Sequence, residues 1–300
     1  MFPFLNHPIN KTLSRRRFLS AATAATAGAG LGSSTLTPSA LAQNANAEAS
    51  LTGPYNFTKP YDWLAAYAKV RGRLDGQVGL YHYVAHIYGV PEGGVAQLMF
   101  RREGVSQHRM TVRKDRTLDL QYVECNYTQH PETGALIDDF YDNPLTGELV
   151  PIRHQAPVPG PLVRINPTGG FTPDIQREPP AAFVNPVGPP LFGEGRVFFN
   201  DDILMYTPGP ENTPGRHLTE LITFSADIRD VQNPELMSAK SFAYIAATTP
   251  WSDWLNMGDR PGHMMMRYLA EKIATVDEIP SWLRKRIDTD HPKFFTESGI

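Results

Sequence analysis

Residues 117–154 read TLDLQYVECNYTQHPETGALIDDFYDNPLTGELVPIRH, and this stretch decides the fold. Two turns of one kind interrupt it, Pro131-Glu132-Thr133-Gly134 and Pro144-Leu145-Thr146-Gly147. In each, proline presets φ early in the turn and glycine accepts a left-handed backbone at its end. The segments around the turns, Thr117 to Thr128, Ala135 to Tyr141 and Leu149 to His154, read as strands. A three-strand antiparallel meander follows from short turns between such runs.

The same reading extends in both directions. Leu80 to Tyr88 follows Asp75-Gly76, is rich in Tyr, Val and Ile, and is closed by Gly89 and Pro91. Val95 to Arg101 and Val105 to Arg113 are predicted as two strands joined at Glu103-Gly104. Arg196 to Tyr206, Leu218 to Ile228 and Ser241 to Thr248 are predicted strands as well. Helical periodicity is confined to Pro60–Val70 near one end and to Met264–Ala274 and Ser281–Ile287 near the other. Thr275-x-x-Glu278 has the form of a capping box. No βαβ rhythm occurs, and a wide antiparallel sheet closes or curls. The fold expectation is therefore mainly β: an antiparallel barrel-like or strongly curved sheet with flanking helices at the N- and C-terminal ends.

The first residues carry a different message. Ser14-Arg15-Arg16-Arg17-Phe18-Leu19-Ser20 has the twin-arginine (Tat) signature, with Arg15 and Arg16 as its pair. An Ala/Gly/Thr-rich apolar run follows, and Ala40-Leu41-Ala42 offers a cleavage site ahead of Gln43. The expected organisation is a signal peptide over 1–42, a flexible lead over 43–59 and one β-rich domain over 60–300. That domain carries a Pro/Gly-rich excursion at 155–195. The expected partner in export is the Tat translocase, and the expected location is periplasmic or secreted.

Composition narrows the function classes. Residues 1–42 hold four of the 28 basic residues and none of the 31 acidic ones, so the rest of the chain has a net charge of −7. An acidic domain is a poor partner for nucleic acid or an anionic membrane surface. No apolar run after residue 42 approaches the ~20 residues of a membrane-spanning helix. The single cysteine, Cys125, lies in an apolar-aromatic strand and reads as a small buried hydrophobe rather than a nucleophile.

Three stretches resemble a known family: Lys69–Gly89 (KVRGRLDGQVGLYHYVAHIYG), Glu124–His154 with its doubled turn, and Thr249–Arg267 (TPWSDWLNMGDRPGHMMMR). Together they are similar to the domain-of-unknown-function family numbered 1838, across most of residues 60–295. The resemblance implies Tat export and brings no activity with it. Tyr141 and the run His154-Gln155-Ala156-Pro157-Val158 depart from the family's pattern, which has a tryptophan near the first and a longer spacer in the second.

Candidate chemistry is sparse. His82 and His86 share one face of a strand, but at about 3.3 Å per residue they stand ~13 Å apart, too far to chelate one ion. There is no H-E-x-x-H, C-x-x-C or G-x-S-x-G, and Gly193-Glu194-Gly195 precedes a strand rather than a helix. His217-x-x-Glu220 reads as two ordinary residues entering a strand. No metal, flavin or haem is expected.

Polar residues within strands remain. His82 and His86 alternate with Tyr81, Tyr83, Ala85 and Ile87, the better core face. Arg109 and Glu124 sit amid large apolar residues, either as structural charges or as pocket groups. Trp251, Trp254, Met257 and Met264–Met266 form an adaptable apolar cluster that packs over one barrel end or covers a ligand. Arg260 lies on a turn within reach of a bound anion. The ligand-binding candidates are thus His82, His86, Arg109, Glu124, Tyr141, His154, Trp251, Trp254 and Arg260. The expected function is binding of a small, partly apolar molecule in a barrel-like pocket. The alternative is a cofactor-independent enzyme using His154, Glu124 or Arg109.

Overall fold

The computed structural model describes residues 51–171, 182–184, 188–207, 216–297 and 299–300. The expected signal motif and cleavage site lie outside the described residues, as does part of the 155–195 excursion. The lead expected over 43–59 is packed down from residue 51: Tyr55 is buried, and its backbone N–H donates to Gln232 Oε1.

Strands β1 (Val78–Pro91), β2 (Gln97–Val112) and β3 (Leu118–Gln129) open the domain. A separate hairpin follows, β4 (Phe140–Asn143) and β5 (Glu148–Pro151). Short strands β6 (Val163–Asn166), β7 (Gly169–Phe171), β8 (Ala182–Val184) and β9 (Leu191–Gly193) come next. Long strands β10 (Arg196–Thr207), β11 (Arg216–Asp227), β12 (Ser241–Thr249) and β13 (Gly262–Ile273) complete the set. Eleven strands make one sheet in the order β7-β6-β3-β2-β1-β13-β12-β11-β10-β8, with β9 beside β10. Every pairing in it is antiparallel, and the sheet curls into a half-barrel.

The hollow of the half-barrel holds helix α1 (Pro60–Arg71). Pro60 suits its first turn, where the missing N–H is not needed. From Trp63 to Val70 every apolar residue is at most 3% exposed, the mark of a helix enclosed on all sides. Three alanines, Ala65, Ala66 and Ala68, let the backbone lie close to the sheet. Around it pack Tyr81, Met110, Leu120, Ile165, Phe199 and Phe224, from both halves of the sheet. A short helix, α2 (Ile228–Gln232), follows β11, and on the convex face α3 (Ser281–Asp290) lays Leu283 and Ile287 over Val105, Val123, Cys125 and Tyr127. Cys125 is fully buried there. A third cluster, with Phe100, Tyr141, Leu255 and Met257, forms an apolar cap.

Three expectations need correction. The pair of strands predicted around Glu103-Gly104 is one continuous strand, β2. Gly104 marks a close approach between strands rather than a turn: a Cβ there would lie 2.4 Å from the Cys125 carbonyl oxygen. The helix predicted over Met264–Ala274 is strand β13, at the centre of the sheet between β1 and β12. Its helix-favouring residues are overridden by period-two burial, with Met264, Ala270 and Lys272 on the concave side. The three-strand meander is split, since β4 and β5 leave the main sheet as their own hairpin. Two isolated bridges, Gln129 to Leu136 and Asn126 to Gln155, tie the hairpin's flanks to β3, and Asp138 turns instead to Arg286 of α3 at 2.9 Å. Both glycines of the doubled turn are left-handed, with φ of 69° at Gly134 and 71° at Gly147. The capping box at Thr275 and Glu278 is formed.

Candidate functional site

Strand parity decides what faces the hollow. Tyr81 and Tyr83 are core residues, so their cross-strand partners at even positions of β2 and β3 point inward too. This places Arg102, Tyr122, Glu124 and Asn126 on the concave side. On the other half, Ala270 pairs with Ala243, and Ala243 with Phe224, which carries the same parity to Tyr268 and Glu220.

These residues meet between α1 and the cap. Asn126 Nδ2 donates to Tyr83 Oη at 2.9 Å and to Gln155 Oε1 at 2.6 Å. Gln155 Nε2 reaches Glu124 Oε2 at 3.4 Å. The Tyr83 and Tyr268 rings lie 5.7 Å apart, and Arg102 lies over the Phe100 ring at 5.4 Å. Among the described residues neither Glu124, Glu220 nor Arg102 has an ion-pair partner, and Arg102 Nε has no hydrogen-bond partner. Glu124 and Glu220 are surrounded by protein yet retain some accessible surface, so they border open space rather than packed core.

Electrostatics follows from this enclosure. Burial pushes the Glu220 carboxyl up to about 7, with the Glu124 charge adding to the rise and Arg71 opposing it. Burial also raises Glu124, against the Gln155 hydrogen bond and the fields of Arg71 and Arg102. Tyr122 is raised by burial and then by Glu124 and Glu220. Deeper in, Arg71 pairs with Asp201, so its charge is already balanced. An unpaired carboxyl with a raised pKa, enclosed and ringed by tyrosines, has the makings of a ligand or acid–base site.

The residues singled out from sequence are divided. Glu124 is in the hollow. Tyr141 and Trp254 are in the apolar cap, where Tyr141 Oη donates to the Met99 carbonyl at 3.0 Å. Trp251 packs beside the cap, and its Nε1 donates to the Arg260 carbonyl at 2.9 Å, while the Arg260 side chain is exposed. His82, His86 and Arg109 occupy the convex parity of β1 and β2. His82 Nε2 bonds Glu103 Oε1 at 3.0 Å, and Arg101 Nη2 takes the other oxygen at 2.7 Å. His154 lies outside β3, where its Nδ1 accepts from the Thr128 backbone N–H at 3.1 Å. His82, Arg109 and His154 therefore do not converge with Glu124. Arg102, Glu220, Tyr83, Tyr122 and Tyr268 were not singled out: Tyr83 reads as core, and the inward parity of the others follows from cross-strand register that the sequence alone does not show.

A second concavity lies on the outside, a cleft of about 550 Å³ between Gln129, Leu136, Trp282, Lys285 and Arg286. It is separated from the hollow by the sheet.

Residues 206–298 match a family described as Protein of unknown function (DUF1838). The DUF1838 match runs from the end of β10 through α3 and includes Glu220, Trp251, Trp254, Arg260 and Tyr268. It covers the C-terminal part of the wider resemblance read from sequence. The chain matched no curated protein and no solved structure.

Proposed function

We propose that this chain is an exported protein that holds a small, partly apolar molecule in the hollow of its half-barrel. The observation that carries this reading is the group Arg102, Glu124 and Glu220. Each stands on the concave parity of the sheet, keeps some accessible surface and has no ion pair among the described residues. Unpaired charge costs free energy when enclosed, and a polar ligand offsets that cost. The tyrosines and the apolar cap supply the hydrophobic wall that small-molecule sites share.

Export rests on Arg15, Arg16 and the cleavage-site pattern that follows them. The Tat translocase is then the partner in transit, and the location periplasmic or secreted.

A thermal-shift screen of small amphipathic molecules on the purified chain tests the binding role, because a ligand of the folded state raises Tm by linkage. The shift should persist in Trp282→Ala and fall in Glu124→Gln and Glu220→Gln. The reverse pattern would put the ligand in the outer cleft and overturn the assignment.

A second reading has one observation of its own. A carboxyl at about 7 beside another carboxylate is suited to general acid–base work near neutral pH. Under that reading the bound molecule is chemically changed, and incubation followed by mass analysis separates the two.

A further inference from the structure

We propose that the ligand of the hollow is a small organic monocation, a protonated or quaternary amine on a partly apolar body, seated between Glu124 and Glu220. This rests on the binding role proposed above and adds the ligand's charge.

The argument is a charge balance. Two carboxylates, Glu124 and Glu220, and one guanidinium, Arg102, face the space without ion-pair partners among the described residues. Arg71 is spoken for by Asp201, in contact with Tyr67. His108 is buried, and burial together with Arg71 and Lys272 keeps it well below its usual range, hence neutral. Lys272, also on the concave side, is given over to the Lys69, Val70 and Gly72 carbonyls at the end of α1, and burial holds it well below its usual range. With both carboxylates ionised, Arg102, Glu124 and Glu220 then sum to −1, and a monocation closes that balance. An anion would instead leave two negative charges uncompensated.

Placement agrees with the charge. Glu124 stands on β3 and Glu220 on β11, on opposite halves of the sheet with β2, β1, β13 and β12 between them. Arg102 lies over Phe100, toward the cap. Among the described residues it pairs with neither carboxylate. The Tyr83 and Tyr268 rings stand beside this space, and aromatic faces attract cations. Without a ligand, the pair lowers its repulsion by keeping a proton on Glu220. A bound cation takes over that role and expels the proton.

Isothermal titration of the purified chain at pH 7 tests this. The probes are benzylamine, 2-phenylethylamine and 4-phenylbutylamine, each with its matched alcohol and carboxylate. At least one amine should bind ten-fold or more tighter than its alcohol and carboxylate, with proton release seen as a dependence of heat on buffer ionisation enthalpy. Glu124→Gln and Glu220→Gln should each weaken that amine ten-fold or more while still unfolding in one cooperative transition at or above the wild-type Tm, whereas Trp282→Ala should not weaken it. Tighter binding of a carboxylate, lost in Arg102→Gln, would overturn the inference and leave the binding role standing. Equal binding of alcohol and amine would do the same. If no member of the series binds, the inference and the binding role fall together.

Discussion

Arg71 of α1 and Asp201 of β10 form an ion pair inside the half-barrel, each at most 5% exposed at its side chain. Tyr67 completes it: Arg71 Nη1 donates to Tyr67 Oη at 2.6 Å, and Tyr67 donates to Asp201 Oδ2 at 2.7 Å. Removing one partner strands a charge in the core, at a cost of about 3–5 kcal/mol. Asp201→Ala should therefore lower the unfolding free energy by roughly that amount, more than Asp201→Asn. Urea denaturation at pH 7 measures it. Equal, small losses for both variants would show that the pair does not anchor α1.

Lys272 ties the same C-terminal end of that helix. Its Nζ donates to the carbonyls of Lys69 at 3.0 Å, Val70 at 2.9 Å and Gly72 at 2.5 Å. These are carbonyls that the last turn of a helix leaves unbonded. Each carbonyl keeps a second donor, the Ala239 N–H on Lys69, Tyr81 Oη and Ser241 Oγ on Val70 and Ser238 Oγ on Gly72. Lys272→Met therefore keeps the length of the side chain and removes only its charge-assisted hydrogen bonds, at a cost of about 1.5–3 kcal/mol. Hydrogen exchange should quicken in the last turn of α1 before the sheet is affected. Unchanged protection there would count against the clamp.

Glu220 gives a pH dependence of known sign. Its carboxyl is raised from an ordinary 4.5 to about 7 in the folded chain. Between those values the folded state holds a proton that the unfolded state has lost, so stability falls as pH rises. His108 acts oppositely, because burial lowers it and the unfolded state takes up the proton first below about 6.5. Comparison of wild type with Glu220→Gln isolates the glutamate: the variant should gain stability relative to wild type from pH 5 to pH 7.5. Parallel profiles would mean that Glu220 is not enclosed.

Export has its own test. Arg15→Lys with Arg16→Lys should leave unprocessed chain in the cytoplasm. Processing that continues, or that stops only when the general secretory route is blocked, would contradict the twin-arginine reading.

The long strands were legible in the sequence because alternation is written directly into them. Tyr81, Tyr83, Ala85 and Ile87 are buried while His82 and His86 alternate on the other side, as the pattern implies. The central strand β13 was not legible, since Met, Leu, Ala, Glu and Lys favour helix and its strand state is imposed by β1 and β12 on either side. The enclosure of α1 was half-visible: Trp63–Ala68 are apolar without interruption, but only the curl of the sheet says what surrounds them. Glu124 stood out as a charge in an apolar strand. Glu220 did not, because its inward orientation depends on register carried across β12 from β13, and a sequence shows no register between distant strands.

The central claim is that Glu124 and Glu220 share an enclosed, polar space inside the half-barrel. The most direct measurement is carboxyl-carbon NMR titration of the glutamates, assigned with Glu124→Gln and Glu220→Gln. The account predicts a Glu220 titration near 7 that drops when Glu124 is replaced, and a Glu124 titration above the ordinary glutamate range. Two independent titrations near 4.5, each indifferent to the other's replacement, would contradict it.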